Sequence, residues 1–213
     1  LFLHDLSIDP GTPNLGDDLI IAGSLEEPES SSIDICPSVA DCEITISSVQ
    51  CENQAFGVHI HFDEASSGQD DPVVNINAVK VFGSFDQSFD LKGFSGQEEF
   101  LGTLNMNNTV TDHCDDGFGI EYWEFVNMTN NTVEDIGDDA DLMSIAEISI
   151  VNLLVAGVSD DDACSVENVL DTFTCTNSSF LNCDDDGLYF FSTSQELSPV
   201  SYTHLTLPTI VSV

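Results

Sequence analysis

The 213-residue sequence predicts an all-β solenoid, a stack of coils each built from short strands, and three features carry that prediction. First, one pattern recurs in NNTVTDHCDDGFGI from Asn107, NNTVEDIGDDADLM from Asn130, NLLVAGVSDDDACSV from Asn152 and NSSFLNCDDDGLYF from Asn177. In each, Val or Phe follows the Asn by three residues and Asp-Asp follows by eight and nine. Those asparagines lie 23, 22 and 25 residues apart, a period at which each repeat is one unit that buries its apolar face only against its neighbours. Second, apolar residues near the repeats alternate with period two, as in a strand with one buried face. Third, no helical periodicity interrupts them.

Taken in chain order, residues 1–40 are expected to form an N-terminal coil or cap, and residues 41–198 the coils proper. The first strand of each coil is marked by a pair of alternating apolar residues: Ile44/Ile46, Val74/Ile76, Leu104/Met106, Val126/Met128, Ile148/Ile150 and Phe173/Cys175. Six rungs follow, with a repeat of 22 to 30 residues. The Asn after each of the last four strands suits a tight turn, since Asn tolerates the left-handed conformation that most residues avoid. Another apolar alternation follows each Asp pair: Phe118/Ile120, Leu142, Cys164/Val166 and Leu188/Phe190. Upstream, AFGVHIHF supplies Phe56, Val58, Ile60 and Phe62. Aligned with GFGIEYWEF, it sets Phe56 opposite Phe118 and Val58 opposite Ile120. His59, His61, Glu121 and Trp123 then face outward, with Tyr189 following on the last coil. The final stretch, VSYTHLTLPTIVSV, has no acid, and it resembles translated sequencing-adapter read-through. Residues 199–213 are therefore expected to be a non-native tail on a fragment.

Thirty-nine acids oppose two basic residues, Lys80 and Lys92, for a formal charge of −37. Such a surface repels nucleic acid, anionic lipid and acidic polysaccharide unless cations intervene, so no nucleic-acid partner is expected. No apolar run is long enough to insert in a membrane. Fourteen Phe and regular apolar spacing are not a disordered composition. Seven cysteines, an odd number without metal spacing, and four N-x-S/T sequons at Asn107, Asn127, Asn130 and Asn177 favour an extracellular or cell-surface glycoprotein.

The I-x-I-x-N-N-x-V and D-G texture over residues 40 to 192 resembles the right-handed parallel β-helix of the pectin-lyase-like superfamily. That resemblance implies an Asn ladder at Asn108, Asn130, Asn152 and Asn177, and an outer strand surface that binds polysaccharide or another cell-surface ligand. Glu121, Trp123 and Tyr189 are the candidate carbohydrate contacts, aromatic rings suiting the apolar faces of sugars. The family's lyases pair calcium ligands with an Arg or Lys base, and its polygalacturonases carry Gly-His and Arg-x-Lys motifs absent here. His59, His61 and Glu121 are the catalytic candidates if the chain is an enzyme, and His59 and His61 followed by Asp63 could also hold a metal.

In register, Asp115/Asp116, Asp138/Asp139, Asp160/Asp161 and Asp185/Asp186 would stack about 4.8 Å apart. Neighbouring carboxylates at that spacing repel by roughly 1 kcal/mol in water and more where buried. Calcium, which takes carboxylate and carbonyl oxygens, or external salt would relieve them. Asp-Asp recurs in every clear coil, as a turn does. The expectation is a non-catalytic binding or structural module, calcium-stabilised and carbohydrate-binding, with an incomplete polysaccharide lyase or glycoside hydrolase as the alternative.

Overall fold

The computed structural model describes residues 2–4, 7–8, 19–22, 31–36, 43–52, 56–62, 72–95 and 100–191. They form three parallel sheets and one small hairpin, and none of them is helical. Sheet 1 stacks Phe2–His4, Glu43–Ser47, Val73–Asn77, Thr103–Asn107, Phe125–Thr129, Glu147–Val151 and Thr172–Thr176. Sheet 2 stacks Ser7–Ile8, Gln50–Glu52, Lys80–Phe82, Val110–Asp112, Thr132–Glu134, Leu154–Ala156 and Ser179–Leu181. Sheet 3 runs through Leu19–Ala22, Ser31–Cys36, Phe56–His61, Gln87–Lys92, Asp116–Glu121, Asp141–Met143, Ser165–Glu167 and Tyr189–Phe191. From Glu43 to Phe191 the chain visits sheets 1, 2 and 3 in turn six times, which is a parallel β-helix of six coils. No helix is long and apolar enough to cross a membrane among the described residues.

The period-two apolar pairs build the core. Ile44, Val74, Leu104, Val126, Ile148 and Phe173 fall in one register column of sheet 1, and Ile46, Ile76, Met106, Met128, Ile150 and Cys175 in the next. None of the twelve is more than 4% exposed. Burying one such aliphatic side chain is worth about 1.5–3 kcal/mol, and each coil supplies its share only because the next covers it.

Left-handed residues sit at the corners among the described residues. Between sheets 1 and 2 these are Ser48, Ala78, Asn108, Asn130, Asn152 and Asn177, all with φ between 52° and 56°. The predicted Asn ladder is present: Asn130 Nδ2 donates to Asn108 Oδ1 at 3.4 Å, and Asn152 Nδ2 to Asn130 Oδ1 at 2.8 Å. Thr109 and Asn131, buried in the same corner, satisfy each other, with Asn131 Oδ1 accepting from the Thr109 amide and hydroxyl at 3.0 Å. In the first repeat Asn108 takes the corner as expected, so the inward position falls one residue later than the pattern counted from Asn107, on Thr111 rather than Val110. His113, Asp135 and Asn182 turn the sheet 2 to sheet 3 corner, and Tyr122, Ser144 and Asn168 the sheet 3 to sheet 1 corner.

Coil length varies chiefly in that last connection. It takes three residues after Glu121 and after Met143, and four after Glu167, but eleven after His61 and ten after Lys92. The ten-residue connection contains the antiparallel hairpin of Phe94–Ser95 with Phe100–Leu101.

Cys114, Cys164, Cys175 and Cys183 are free thiols, and Cys51 is buried in the core. The expected tail at 199–213 lies outside the described residues.

Candidate functional site

Sheet 3 presents its alternate residues outward, and there the side chains cease to repeat. One outward column reads His59, Asp90, Gly119, Asp141, Ser165, Tyr189. The neighbouring column reads His61, Lys92, Glu121, Met143, Glu167, Phe191. The true register differs from the sequence alignment by two residues: Val58 meets Phe118 through Phe89, and Ile60 meets Ile120 through Leu91. A two-residue shift keeps every side chain on its face, so His59 and His61 are correctly read as outward. It does change their neighbours. His61 lines up with Glu121, and the strand Gln87–Lys92 inserts between them, placing Lys92 inside the repeat rather than outside it.

Trp123 is corrected more sharply. It is fully buried, not outward, with its indole N–H donating to the Leu91 carbonyl at 2.9 Å and its ring meeting Phe62 edge-on at 5.7 Å. The cause is Tyr122, whose φ of 62° breaks the alternation after Glu121 and turns the next side chain inward. Ser144 and Asn168 do the same for Ile145 and Val169. Gly93 lets the backbone of this corner approach the next coil, since a Cβ there would lie 2.2 Å from the Tyr122 carbonyl oxygen and 3.1 Å from Trp123 Cδ2. Trp123 is therefore a core residue and no carbohydrate contact. Tyr189 keeps its outward place and is 38% exposed.

Around His59 the outer face closes into a cleft of about 300 Å³, lined by Phe56, His59, His61, Asp90 and Lys92 with Asp86 and Gln87 at one side. Asp90 is its centre. The residue is 5% exposed, its Oδ2 lies 3.3 Å from His59 Nε2, and its Oδ1 lies 3.7 Å from Lys92 Nζ. Lys92 Nζ is equally 3.7 Å from Glu121 Oε1. Oδ1 of Asp90 accepts no hydrogen bond among the described residues. Burial pushes the Asp90 carboxyl above its ordinary range, against the pull of Lys92 and His59. Burial alone would lower the Lys92 ammonium, but Asp90 and Glu121 outweigh it and hold the group above its usual value. Phe56, itself buried, backs the His59 ring at 5.3 Å, so one wall is flat and aromatic while the floor is ionic. Gly119 leaves a notch in the outer column that the Gln87 amide fills, a Cβ there lying 2.6 Å from Gln87 Oε1.

Among the described residues, two groups bring three ionisable side chains close enough to hold a metal, and neither includes His59 or His61. Asp63, the further ligand considered from sequence, lies outside the described residues. One group is Asp112, His113 and Asp135, where Asp112 accepts a hydrogen bond from His113 and holds that imidazole's pKa above its ordinary value. The other is Asp162, Asp185 and Asp186.

The four Asp pairs gather in one turn, between sheets 2 and 3, but not position for position, since Asp139 lies beside Gly117 rather than Asp116. The Asp138 amide donates to the Asp115 carbonyl at 2.8 Å, Asp160 to Gly137 at 2.9 Å, and Asp185 to Asp161 at 3.4 Å. Asp115, Asp138, Asp160, Asp161, Asp185 and Asp186 are exposed, whereas Asp116 and Asp139 are half-buried. Burial, then the surrounding carboxylates, push Asp116 up to about 6. Asp139 is pushed up to about 8, first by burial and then by Asp141, with which it shares a hydrogen bond. Protons thus relieve part of the acidic edge, a route not considered beside calcium and salt. Sequence reasoning also missed Asp162, the third residue of its run, which is the one that joins Asp185 and Asp186.

Of the sequon residues, Asn127, Asn130 and Asn177 are exposed and Asn107 is half-buried. Asn127 Nδ2 donates to Asn105 Oδ1 at 3.0 Å and Asn130 Nδ2 to Asn108 Oδ1, so both amides already serve ladders.

Comparison with known proteins finds no matching family model, no matching curated protein and no matching solved structure, which leaves the cleft's own geometry as the basis for assigning a function.

Proposed function

We propose that the chain is an acidic β-helix module of the pectin-lyase-like type that works outside the cell and binds a polysaccharide along the outer face of sheet 3. The supporting observation is the cleft, with a stacked Phe56–His59 wall beside buried Asp90 and its half-buried ion-pair partner Lys92. A flat apolar ring and a few fixed polar groups are what a saccharide unit requires, one for its C–H face and the other for its hydroxyls. From Phe56–His61 to Tyr189–Phe191 the face spans six rungs, roughly 24 Å at the usual strand spacing, enough for several sugar units in line. Exposed Tyr189 lies at the far end of the same column. The −37 charge and the four sequons support an extracellular place.

Calorimetric titration with soluble neutral, uronic and amino polysaccharides tests the proposal. Binding to at least one class, weakened at least about tenfold by His59→Ala, supports it. Unchanged affinity in that variant would move the ligand elsewhere, and absence of binding to all three classes would sink it.

The contact of His59 with Asp90, beside Lys92 and Glu121, favours one second reading, a polysaccharide-active enzyme. An imidazole against a buried carboxylate suits general acid–base work. Release of reducing ends or unsaturated uronate, abolished by Glu121→Gln, would establish it in place of simple binding. Calcium belongs to either reading, with Asp162, Asp185 and Asp186 as its candidate ligands.

A further inference from the structure

We propose that the saccharide unit seated in the cleft carries a primary ammonium group, that is, an unacetylated amino sugar, and not a uronate. This rests on the saccharide-binding reading of the same face. The cleft and its rim hold three carboxylates, Asp86, Asp90 and Glu121, against the single ammonium of Lys92. Lys92 is already shared between two of those acids, at 3.7 Å from each, and so has no charge to spare for an incoming carboxylate. A uronate would therefore meet an uncompensated negative floor in a chain that is itself at −37.

Asp90 supplies the second observation. It is more than nine-tenths buried, it lines the cleft, and its Oδ1 has no hydrogen-bond donor among the described residues. Lys92 Nζ at 3.7 Å attracts that oxygen electrostatically but stands too far away to donate to it. A buried carboxylate oxygen without a donor is costly, and a ligand N–H that reaches it relieves the cost with a charge-assisted bond. An acetamido group offers an N–H without charge, and its methyl would have to share the space with Gln87 and Lys92. A free ammonium supplies charge and three donors in a compact group. The stacked rings of Phe56 and His59 then cover the face of the same sugar.

Calorimetry on the full chain with three tetrasaccharides at fixed ionic strength tests this: fully deacetylated chitosan, its N-acetylated counterpart and galacturonate. The deacetylated oligomer is expected to bind at least about tenfold more tightly than the other two, and Asp90→Asn to weaken it by about 10- to 100-fold. The exposed Asp171→Asn change removes the same unit of charge four coils away and should leave that affinity within about threefold. Equal losses in the two variants would mean that bulk charge alone attracts the amine, and would overturn the inference. An acetylated or uronate oligomer binding as tightly as the amine would overturn the inference and leave the saccharide reading standing, whereas no binding by any oligomer would remove both. If Asp90→Asn does not fold, the imidazole resonances of His59 in the unaltered protein decide: they shift with glucosamine and not with N-acetylglucosamine, or the inference fails.

Discussion

Sheets 1 and 3 share a pitch and a parallel register, yet their outer faces solve opposite problems. Outside sheet 1 the column Thr45, Asn75, Asn105, Asn127, Ser149 and Thr174 is uncharged throughout. Its amides satisfy one another, Asn105 Nδ2 donating to Asn75 Oδ1 and Asn127 Nδ2 to Asn105 Oδ1, each at 3.0 Å. Outside sheet 3 the equivalent positions change chemistry at every rung, and Asp90 is left with a buried oxygen that no neighbour among the described residues satisfies. In a stack of coils, a column that repeats stabilises itself. One that does not repeat gains no such mutual satisfaction, and it is there that we propose the ligand binds.

The comparison is broken most completely from within. Ile150→Ala removes a side chain 1% exposed that lies on the sheet 1 column between Met128 and Cys175. A loss of about 2–5 kcal/mol is expected, read as an earlier denaturation midpoint with an unchanged slope. Both outer faces should fail together, since a loss confined to sheet 1 would contradict a shared core.

Next in size is the pH response of the acidic turn beside sheet 3. Asp139 titrates near 8 in the fold against an ordinary value of 3.8, so between those limits the folded state holds a proton that the unfolded chain has released. Stability therefore falls as pH rises from about 4 to 8, and Asp116, near 6, adds to the lower part of that window. Because Asp139 is only half-buried, solvent screening reduces the effect, and Asp139→Asn should raise stability at pH 9 by about 1–2 kcal/mol and flatten the profile. A variant with the same slope as the unaltered chain would place the titrating group elsewhere.

A smaller change separates the faces directly. Asn105→Ala should cost about 1 kcal/mol, because it strips Asn75 and Asn127 of a shared partner. A neutral result would show that water replaces the ladder without loss. The smallest expected effect is ionic: millimolar calcium should raise the melting midpoint by a few degrees beyond sodium at matched ionic strength. Replacing Asp185 by Asn should remove that excess. An equal rise with sodium would leave screening as the whole account.

How much of this the sequence revealed follows from the same contrast. Period-two pairs such as Ile148/Ile150 announce a buried face, and Asn130 and Asn152 announce a left-handed corner, because these needs recur in coil after coil. In the coil that carries Asp90 and Lys92 the first strand is legible from Val74/Ile76 but the third, Gln87–Lys92, is not, since Ala78 and Gly83 turn the coil's corners where the recognisable repeats use Asn and the acidic turn. Without that rung the histidine strand was set against the Glu121 strand two residues out of register, an error that alternation cannot detect. Trp123 was misplaced for a related reason: one positive φ at Tyr122 reverses the parity of the residues after it, and nothing in an aromatic run marks where that reversal falls.

The uneven corner between sheets 3 and 1 has an evolutionary consequence. Where three residues suffice after Glu121 and Met143, the connections after Lys92 and His61 run to ten and eleven, on the two rungs that wall the cleft. A solenoid tolerates added length at a corner at little thermodynamic cost, because the strands on either side still find their partners above and below. That corner is thus the place where a lineage of such chains can acquire new specificity by indel rather than by substitution. For the same reason it is where a designer would graft a loop to retarget the face while leaving the six-coil frame untouched.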